Sequence, residues 1–293
     1  MEGHMKRNSL KILTALLAVS LLLSGCINPD KEETTTAPID VSQIDKNSIG
    51  SYQNMSYQYL IDINPALVTT NLSKEYLILV NKTVELDSTY EPAQMTVLTC
   101  ATRDSGRTYE LETRAAEALY AMLAEMQAAG VSDIMVTSAY RSYAYQKRLY
   151  NGYIAFEQTC ISDDARRVFG NDYIKANYLD KKIFHLSLED AITVAQSYSA
   201  IPGQSEHQTG LCVDFITSGE DELTEAFENT AAFAWLSQNA YKFGFILRYP
   251  KGKEGITGYT YEPWHYRFVG REAATDIFVG DMTLEQYLQL TAQ

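Results

Sequence analysis

Ser205-Glu206-His207-Gln208-Thr209-Gly210-Leu211-Cys212-Val213-Asp214-Phe215-Ile216 joins a polar run to an alternating one. The polar half closes at Gly210, where a turn is expected. Leu211 to Ile216 alternates well enough for a strand. On that strand Leu211, Val213 and Phe215 share one face, and Cys212 and Asp214 share the other. A carboxylate at mid-strand among apolar neighbours is costly unless it is paired or holds a metal. His207, on the entering loop, can curl back over the face of Asp214. One imidazole and one carboxylate can thus meet a single ion.

The segments on either side set the fold class. Tyr76 to Val80 is a short apolar run, expected to be extended. Leu111 to Ala129 carries Leu111, Ala115, Ala118, Leu119, Met122 and Met126 at helical spacing, and Gly130 stands where a C-cap glycine belongs. Asp133 to Thr137 is predicted as a strand, Tyr143 to Phe156 as a helix, and Cys160 to Lys182 as an irregular insertion. Leu188 to Tyr198 and Thr230 to Tyr241 are predicted helices. Phe245 to Tyr249 and Trp264 to Phe268 are predicted strands, joined by a flexible loop marked by Gly252, Gly255 and Gly258. Leu284 to Leu290 closes the chain as a helix. Helices come first and strands cluster late, which favours α+β, a small antiparallel sheet with helices packed on one side, over a doubly wound parallel sheet.

A second stretch, Tyr261-Glu262-Pro263-Trp264-His265-Tyr266, supplies another imidazole and another carboxylate. Pro263 disfavours helix at Glu262, so a bend at Pro263-Trp264 is needed to turn both side chains inward. His207, Asp214 and His265 make three N/O ligands. Catalytic zinc takes three protein ligands and keeps an open position. Glu262 is then free to act as general base. Arg141, in Ser138-Ala139-Tyr140-Arg141-Ser142, sits at the end of a predicted strand, where its guanidinium fork suits a substrate carboxylate. An exopeptidase needs such a group for the free C-terminus of its substrate. His185, between Phe184 and Leu186, is expected to be a hydrogen-bonded core residue. Glu206 is expected to support the neighbouring ligand or to face solvent, and Trp264 to pack.

Composition bounds the rest. The 293 residues include 46% hydrophobic and 21% charged residues, a globular balance, and carry a formal net charge of -13. Phosphate contacts need the opposite sign, so nucleic-acid binding is set aside. Lys6, Arg7 and Lys11 precede a short apolar stretch, Ile12 to Leu23, suited to a signal-peptide core. It ends in Leu23-Ser24-Gly25-Cys26, which resembles a bacterial lipobox. The expectation is a signal peptide over 1–26 with Cys26 lipidated, a flexible linker over 27–52, and one catalytic domain over 53–293. The protein would sit, as a monomer, on the extracytoplasmic face of the membrane. No CxxC occurs, so a thiolate zinc knuckle is not expected.

Three segments resemble the VanY-type D-Ala-D-Ala carboxypeptidase family, within the wider group of zinc peptidases related to lysostaphin and Hedgehog. These are Ser138 to Ser142, Ser205 to Asp214 and Glu262 to His265, in the family's order. Leu79-Val80-Asn81-Lys82-Thr83 resembles the start of such domains. The resemblance implies zinc held by His207, Asp214 and His265, Glu262 as the catalytic base, and Arg141 as the anchor of the substrate carboxylate. It also implies substrate contacts at Ser205 and, with weaker meaning, at Gln146 and Ser138. The implied substrate is a peptidoglycan stem peptide, cut at a D-Ala-D-Ala or an L-diamino acid–D-Ala bond. A non-catalytic wall-binding lipoprotein and a cross-bridge endopeptidase are the alternatives. Two positions depart from the family pattern. Ala139 replaces a glycine, and Cys212 replaces a small residue, often alanine. Cys212 could oxidise or offer a stray ligand.

Overall fold

The computed structural model describes residues 39–104, 106–220 and 222–292. Cys26, the signal peptide and the first part of the expected linker lie outside the described residues. Among those described, no helix is long and apolar enough to cross a membrane.

In chain order the elements are β1 (Met95–Val97), β2 (Glu110–Glu112), α1 (Thr113–Ala128), β3 (Met135–Ser138), α2 (Tyr143–Glu157), α3 (Asp163–Phe169), α4 (Asn171–Asn177), α5 (Leu188–Tyr198), β4 (Cys212–Ile216), α6 (Ala231–Asn239), β5 (Phe245–Leu247), α7 (Glu254–Thr257), β6 (His265–Phe268), α8 (Arg271–Val279) and α9 (Leu284–Thr291). β1 and β2 pair antiparallel. The main sheet runs β3-β4-β6-β5, with antiparallel neighbours throughout. The α+β class and the small antiparallel sheet are as expected.

One side of the main sheet makes the core. Val136, Val213, Phe215, Tyr266, Phe268 and Phe245 pack with the stripe Ala115, Ala118, Leu119, Met122 and Met126 of α1, and with Leu236 of α6. Fully burying each large apolar side chain stabilises the fold by roughly 1.5–3 kcal/mol. The helix α1 begins later than its apolar spacing suggests, because Glu110–Glu112 is taken by β2. The Glu112 carboxylate caps it by accepting from the Ala115 amide at 3.0 Å, and Gly130 follows its end at φ +84°.

The other side of the sheet carries the polar residues. Register sets Ser138 beside Asp214, and Asp214 beside His265, in one row across β3, β4 and β6. Val136 faces the core, so Ser138, two residues on, would face it too. A bulge between them reverses the parity and turns Ser138 to the polar face.

Four expectations differ from the structure. Tyr76 to Val80 forms turns and irregular chain, not a strand. The glycine-marked loop contains the short helix α7. The insertion at 160–182 is not irregular: α3 and α4 pack through Ala165, Ile174 and Tyr178 with Leu186, Ala191 and Val194 in a separate small core. Residues 39–52, assigned above to the linker, lie against α8. Ile44 and Ile49 join the core of α8 and α9, and the Gly50 amide donates to Asp276 at 2.8 Å. The helix α8 has no counterpart among the expected elements.

Candidate active site

His207 sits in a 3-10 turn, Glu206–Thr209, closed by Gly210 at φ +68°. The turn is packed from outside. A Cβ on Gly210 would lie 3.0 Å from Pro92 Cγ and 3.3 Å from the Glu112 amide. Inside, the His207 carbonyl accepts from the Arg141 amide at 3.1 Å. Nδ1 of His207 lies 2.7 Å from the Ala139 carbonyl oxygen. A carbonyl only accepts, so Nδ1 carries the proton and Nε2 is left with a lone pair. That Nε2 points at Asp214 Oδ2, 3.1 Å away.

The expected bend before His265 is present. The His265 amide donates to the Glu262 carbonyl at 3.2 Å, closing a turn over Pro263-Trp264. Nδ1 of His265 lies 2.9 Å from Asp214 Oδ1. On the far side of the ring, Nε2 faces Glu206 Oε2 at 3.6 Å, and neither atom has another partner. The two imidazoles stand 5.1 Å apart, centroid to centroid, at 82°. Asp214 is 2% exposed, His207 4% and His265 3%.

This is a pocket built for positive charge. Two inward ring nitrogens and two carboxylate oxygens meet at about hydrogen-bond distance, and without a proton or a cation their lone pairs would repel. Burial alone would lower both imidazoles, but Asp214 and Cys212 outweigh it and raise both. Burial likewise opposes the charge on Asp214, yet the two imidazoles hold it well below the ordinary carboxylate range. The donor set, imidazole and carboxylate, suits zinc. Cys212 enters the same cluster. Its sulfur and one ring nitrogen each of His207 and His265 all lie within 4.8 Å of one another. Burial pushes its thiol up, but the imidazoles more than offset this and bring it to about 7.

Glu262 stands beside the cluster. Its carboxylate is 3.8 Å from His265 Nδ1 and its side chain is 20% exposed. Burial raises its pKa, with Asp214 adding and His265, His207 and Arg141 opposing, to about 7. Arg141, with 16% of its side chain exposed, donates to Asp214 Oδ2 at 3.1 Å. It also donates from Nε to Ser138 at 2.9 Å and from Nη1 to Gln146 Oε1 at 3.1 Å. Three of its five donors are used, and two remain for a ligand.

Several expected roles change. Gln146 is 1% exposed, and its amide donates to the Ala200 carbonyl at 2.8 Å. It and Ser138 each hydrogen-bond the Arg141 guanidinium. Ser205 is 5% exposed and does not cap the turn with its side chain. His185 is exposed, not a core residue, and its Nδ1 lies 3.4 Å from the Leu186 carbonyl. Trp264 packs against the main core, as expected.

Glu206 belongs to a network missed in the sequence. It accepts from Arg248 Nε at 2.8 Å and Arg267 Nη1 at 2.9 Å, and Arg248 also pairs with Glu285 of α9 at 2.6 Å. All four side chains are buried. Burial opposes ionisation of Glu206, but the two guanidiniums outweigh it and lower its pKa. Its fixed charge stands behind His265. A signal is present in the chain: Arg267 follows His265 by two in a strand, so both share a face, and an arginine there needs a partner.

Two imidazoles and an aspartate gathered on a sheet face, with a separate glutamate at the mouth, define a metal-dependent hydrolase. The family described as VanY, D-alanyl-D-alanine carboxypeptidase, matches residues 108–271. The chain is 32% identical to the putative carboxypeptidase YodJ of Bacillus subtilis (strain 168), over 94% of this chain and 95% of that one. It resembles the solved LdcB LD-carboxypeptidase at 34% identity and TM-score 0.58, covering 73% of this chain and 86% of that one. It also resembles a vancomycin-resistance D,D-pentapeptidase VanY from a VanB-type cassette, solved in complex with Zn(II). That match has 31% identity and TM-score 0.54, over 73% of this chain and 99% of the other. The chain belongs to the VanY family of D-alanyl-D-alanine carboxypeptidases.

Proposed function

We propose that the protein is a zinc metallocarboxypeptidase that removes the C-terminal D-alanine from peptidoglycan stem peptides. The observation that carries this reading is the meeting of His207, Asp214 and His265 as inward-facing donors beside Glu262 and Arg141. His207, Asp214 and His265 would hold the zinc. When bound, zinc polarises a carbonyl and makes water acidic near neutral pH.

The remaining work falls to this chain's own residues. The two free donors of Arg141 bind the substrate's terminal carboxylate, and Ser138 and Gln146 fix the guanidinium plane. Substrate is thereby registered so that its last peptide bond lies over the cluster. Glu262 takes the proton of the attacking water and hands it to the leaving amine. Its elevated pKa suits that exchange at neutral pH. The Ala139 carbonyl holds His207 in the tautomer that leaves its lone pair inward, and the Glu206 charge behind His265 favours a proton on the outward nitrogen of that ring.

A purely wall-binding role gives no reason for Glu262 at the mouth of the donor cluster, and an endopeptidase has no terminal carboxylate for Arg141. The bond is D-Ala-D-Ala in a pentapeptide or L-diamino acid–D-Ala in a tetrapeptide. Attachment to the extracytoplasmic face of the cell membrane through lipidated Cys26 is part of the proposal, supported by the sequence Leu23-Ser24-Gly25-Cys26. Incubating the purified protein with both stems, and with a pentapeptide ending in a carboxamide, tests the reading. Cleavage of the free acid, releasing D-alanine, is expected without cleavage of the amide, which would release D-alaninamide. Equal cleavage of both would remove Arg141 from its role.

A further inference from the structure

The main sheet gives the cleft a direction. Arg141 follows β3 at one edge, Asp214 and His265 lie on β4 and β6, and Tyr249 follows β5 at the other edge. A peptide held at its free C-terminus by Arg141 therefore crosses the metal donors and runs on towards the β5 side. The Tyr249 ring lies 4.9 Å from that of His265, and the Tyr259 ring 4.8 Å from that of Tyr249, centroid to centroid. Over the Tyr259 ring stands the ammonium of Lys82, 5.1 Å from its centroid. The ammonium is thus no more than roughly 15 Å from His265, within the reach of about four residues of extended peptide. Its position is fixed. The Lys82 carbonyl accepts from the Gln204 side-chain amide at 3.3 Å, and the Tyr259 hydroxyl donates to the Gln204 carbonyl at 2.9 Å. Just beyond Lys82, the Leu86 amide donates to the Gly203 carbonyl at 2.8 Å, and the Gln208 side-chain amide donates to the Asp87 carbonyl at 2.9 Å. The chain carrying the lysine is therefore tied to the turn carrying His207. The lysine stem lies along Gly258, where an added Cβ would come within 3.7 Å of its Cδ.

We propose that Lys82, held over Tyr259, is a substrate-binding residue that takes a carboxylate on the stem peptide upstream of the scissile bond. The inference rests on the metallocarboxypeptidase reading and deepens it. Among the described residues the Lys82 ammonium meets the Tyr259 ring and no carboxylate. Its acidic neighbour Glu85 is turned to the Gln204 amide, 2.8 Å away. Lys82 is exposed and so open to a ligand, yet its ammonium is partly desolvated against the ring, which lowers its pKa with no acid to offset it. An anion docking there gains an ion pair without first breaking one. The face of the ring attracts the cation and steadies a flexible stem. A stem peptide carries such an anion where a γ-linked D-glutamyl residue leaves its α-carboxylate free. That residue is the second or third upstream of the cut, according to whether the L-diamino acid–D-Ala or the D-Ala-D-Ala bond is broken. Amidation of the carboxyl would remove the charge. The contact lies away from the reacting bond, so it binds ground state and transition state alike and acts on KM rather than kcat.

The test uses the full-length, zinc-loaded protein and synthetic tetra- and pentapeptide stems, each made with the D-glutamyl α-carboxyl free or amidated. L-Lysine serves as the diamino acid, because it brings no second carboxylate. D-Alanine release gives kcat and KM for wild type, Lys82→Met and Lys82→Arg, and circular dichroism establishes that each variant is folded. For wild type the proposal expects kcat/KM about three- to tenfold higher on the free-acid stem, carried by KM and shrinking as salt is raised. Lys82→Met should lose that preference, and Lys82→Arg should keep it. A wild type indifferent to amidation, or a preference that persists in folded Lys82→Met, would overturn the inference and leave the peptidase reading standing. Release of D-alanine from none of the stems would sink both readings together.

Discussion

Glu262 and Arg141 divide the chemistry between a proton carrier and a carboxylate anchor. Glu262→Gln keeps shape and metal donors, so metal content should stay at wild-type level while kcat falls by about 10²–10⁴. Arg141→Ala removes two charge-assisted hydrogen bonds to substrate, so kcat/KM should drop roughly 100-fold or more on the free-acid peptide, down towards the level of its amide. The carboxyl of Glu262 is raised to about 7, chiefly by burial. A raised carboxyl is protonated over more of the acid range, and a protonated base is idle. Activity should therefore climb with pH along a limb at or below about 7, since a bound dication pulls the group down. A limb that survives in Glu262→Gln would belong to another group. His207, Asp214, His265, Glu262 and Arg141 are all singled out in the sequence, by residue type and by the resemblance of their three segments to the family's, and the structure brings them together. The roles of Gln146 and Ser138 are not legible there, since which face of an arginine a neighbour supports depends on tertiary packing. Glu206 is under-read for the same reason: its partners Arg248, Arg267 and Glu285 are distant in sequence.

At the scale of elements, the Glu206–Gly210 turn and the row of Ser138, Asp214 and His265 position the site. Gly210 combines φ +68° with a crowded Cβ direction. Gly210→Ala should cost about 1–3 kcal/mol from backbone strain and crowding, and should weaken zinc binding by displacing His207. Chemical denaturation and chelator competition would each read this. The buried quartet ties α9 to the site. Glu285→Ala leaves the buried Arg248 with Glu206 alone, a carboxylate it already shares with Arg267. Unfolding free energy should fall by roughly 3–5 kcal/mol, seen as a lower urea midpoint with unchanged slope. Periodicity locates α1 and α5 well, since each has one apolar face, and alternation locates β4. It gives no sign of the bulge between Val136 and Ser138, which is a local slip in pairing. Nor does it reveal α3 and α4, whose apolar residues are too few to show a period.

At the scale of the whole molecule, residues from Ile44 to Tyr76 pack against the sheet core and against α8 and α9, which follow β6. Composition places the start of the folded domain at residue 53, whereas Ile44 and Ile49 already pack against α8 and α9. Polar composition marks 39–52 as a linker because its few apolar side chains are scattered, and only the docked geometry shows them packed together. Two imidazoles and an aspartate, brought from β4, its entering turn and β6, must act around one divalent ion. The most direct measurement is D-alanine release from a defined pentapeptide stem, followed by mass, for protein as purified, stripped by chelator, and restored with one equivalent of zinc. Release is expected in the first and third samples and not in the second. Undiminished release from the stripped sample, verified free of metal, would contradict it.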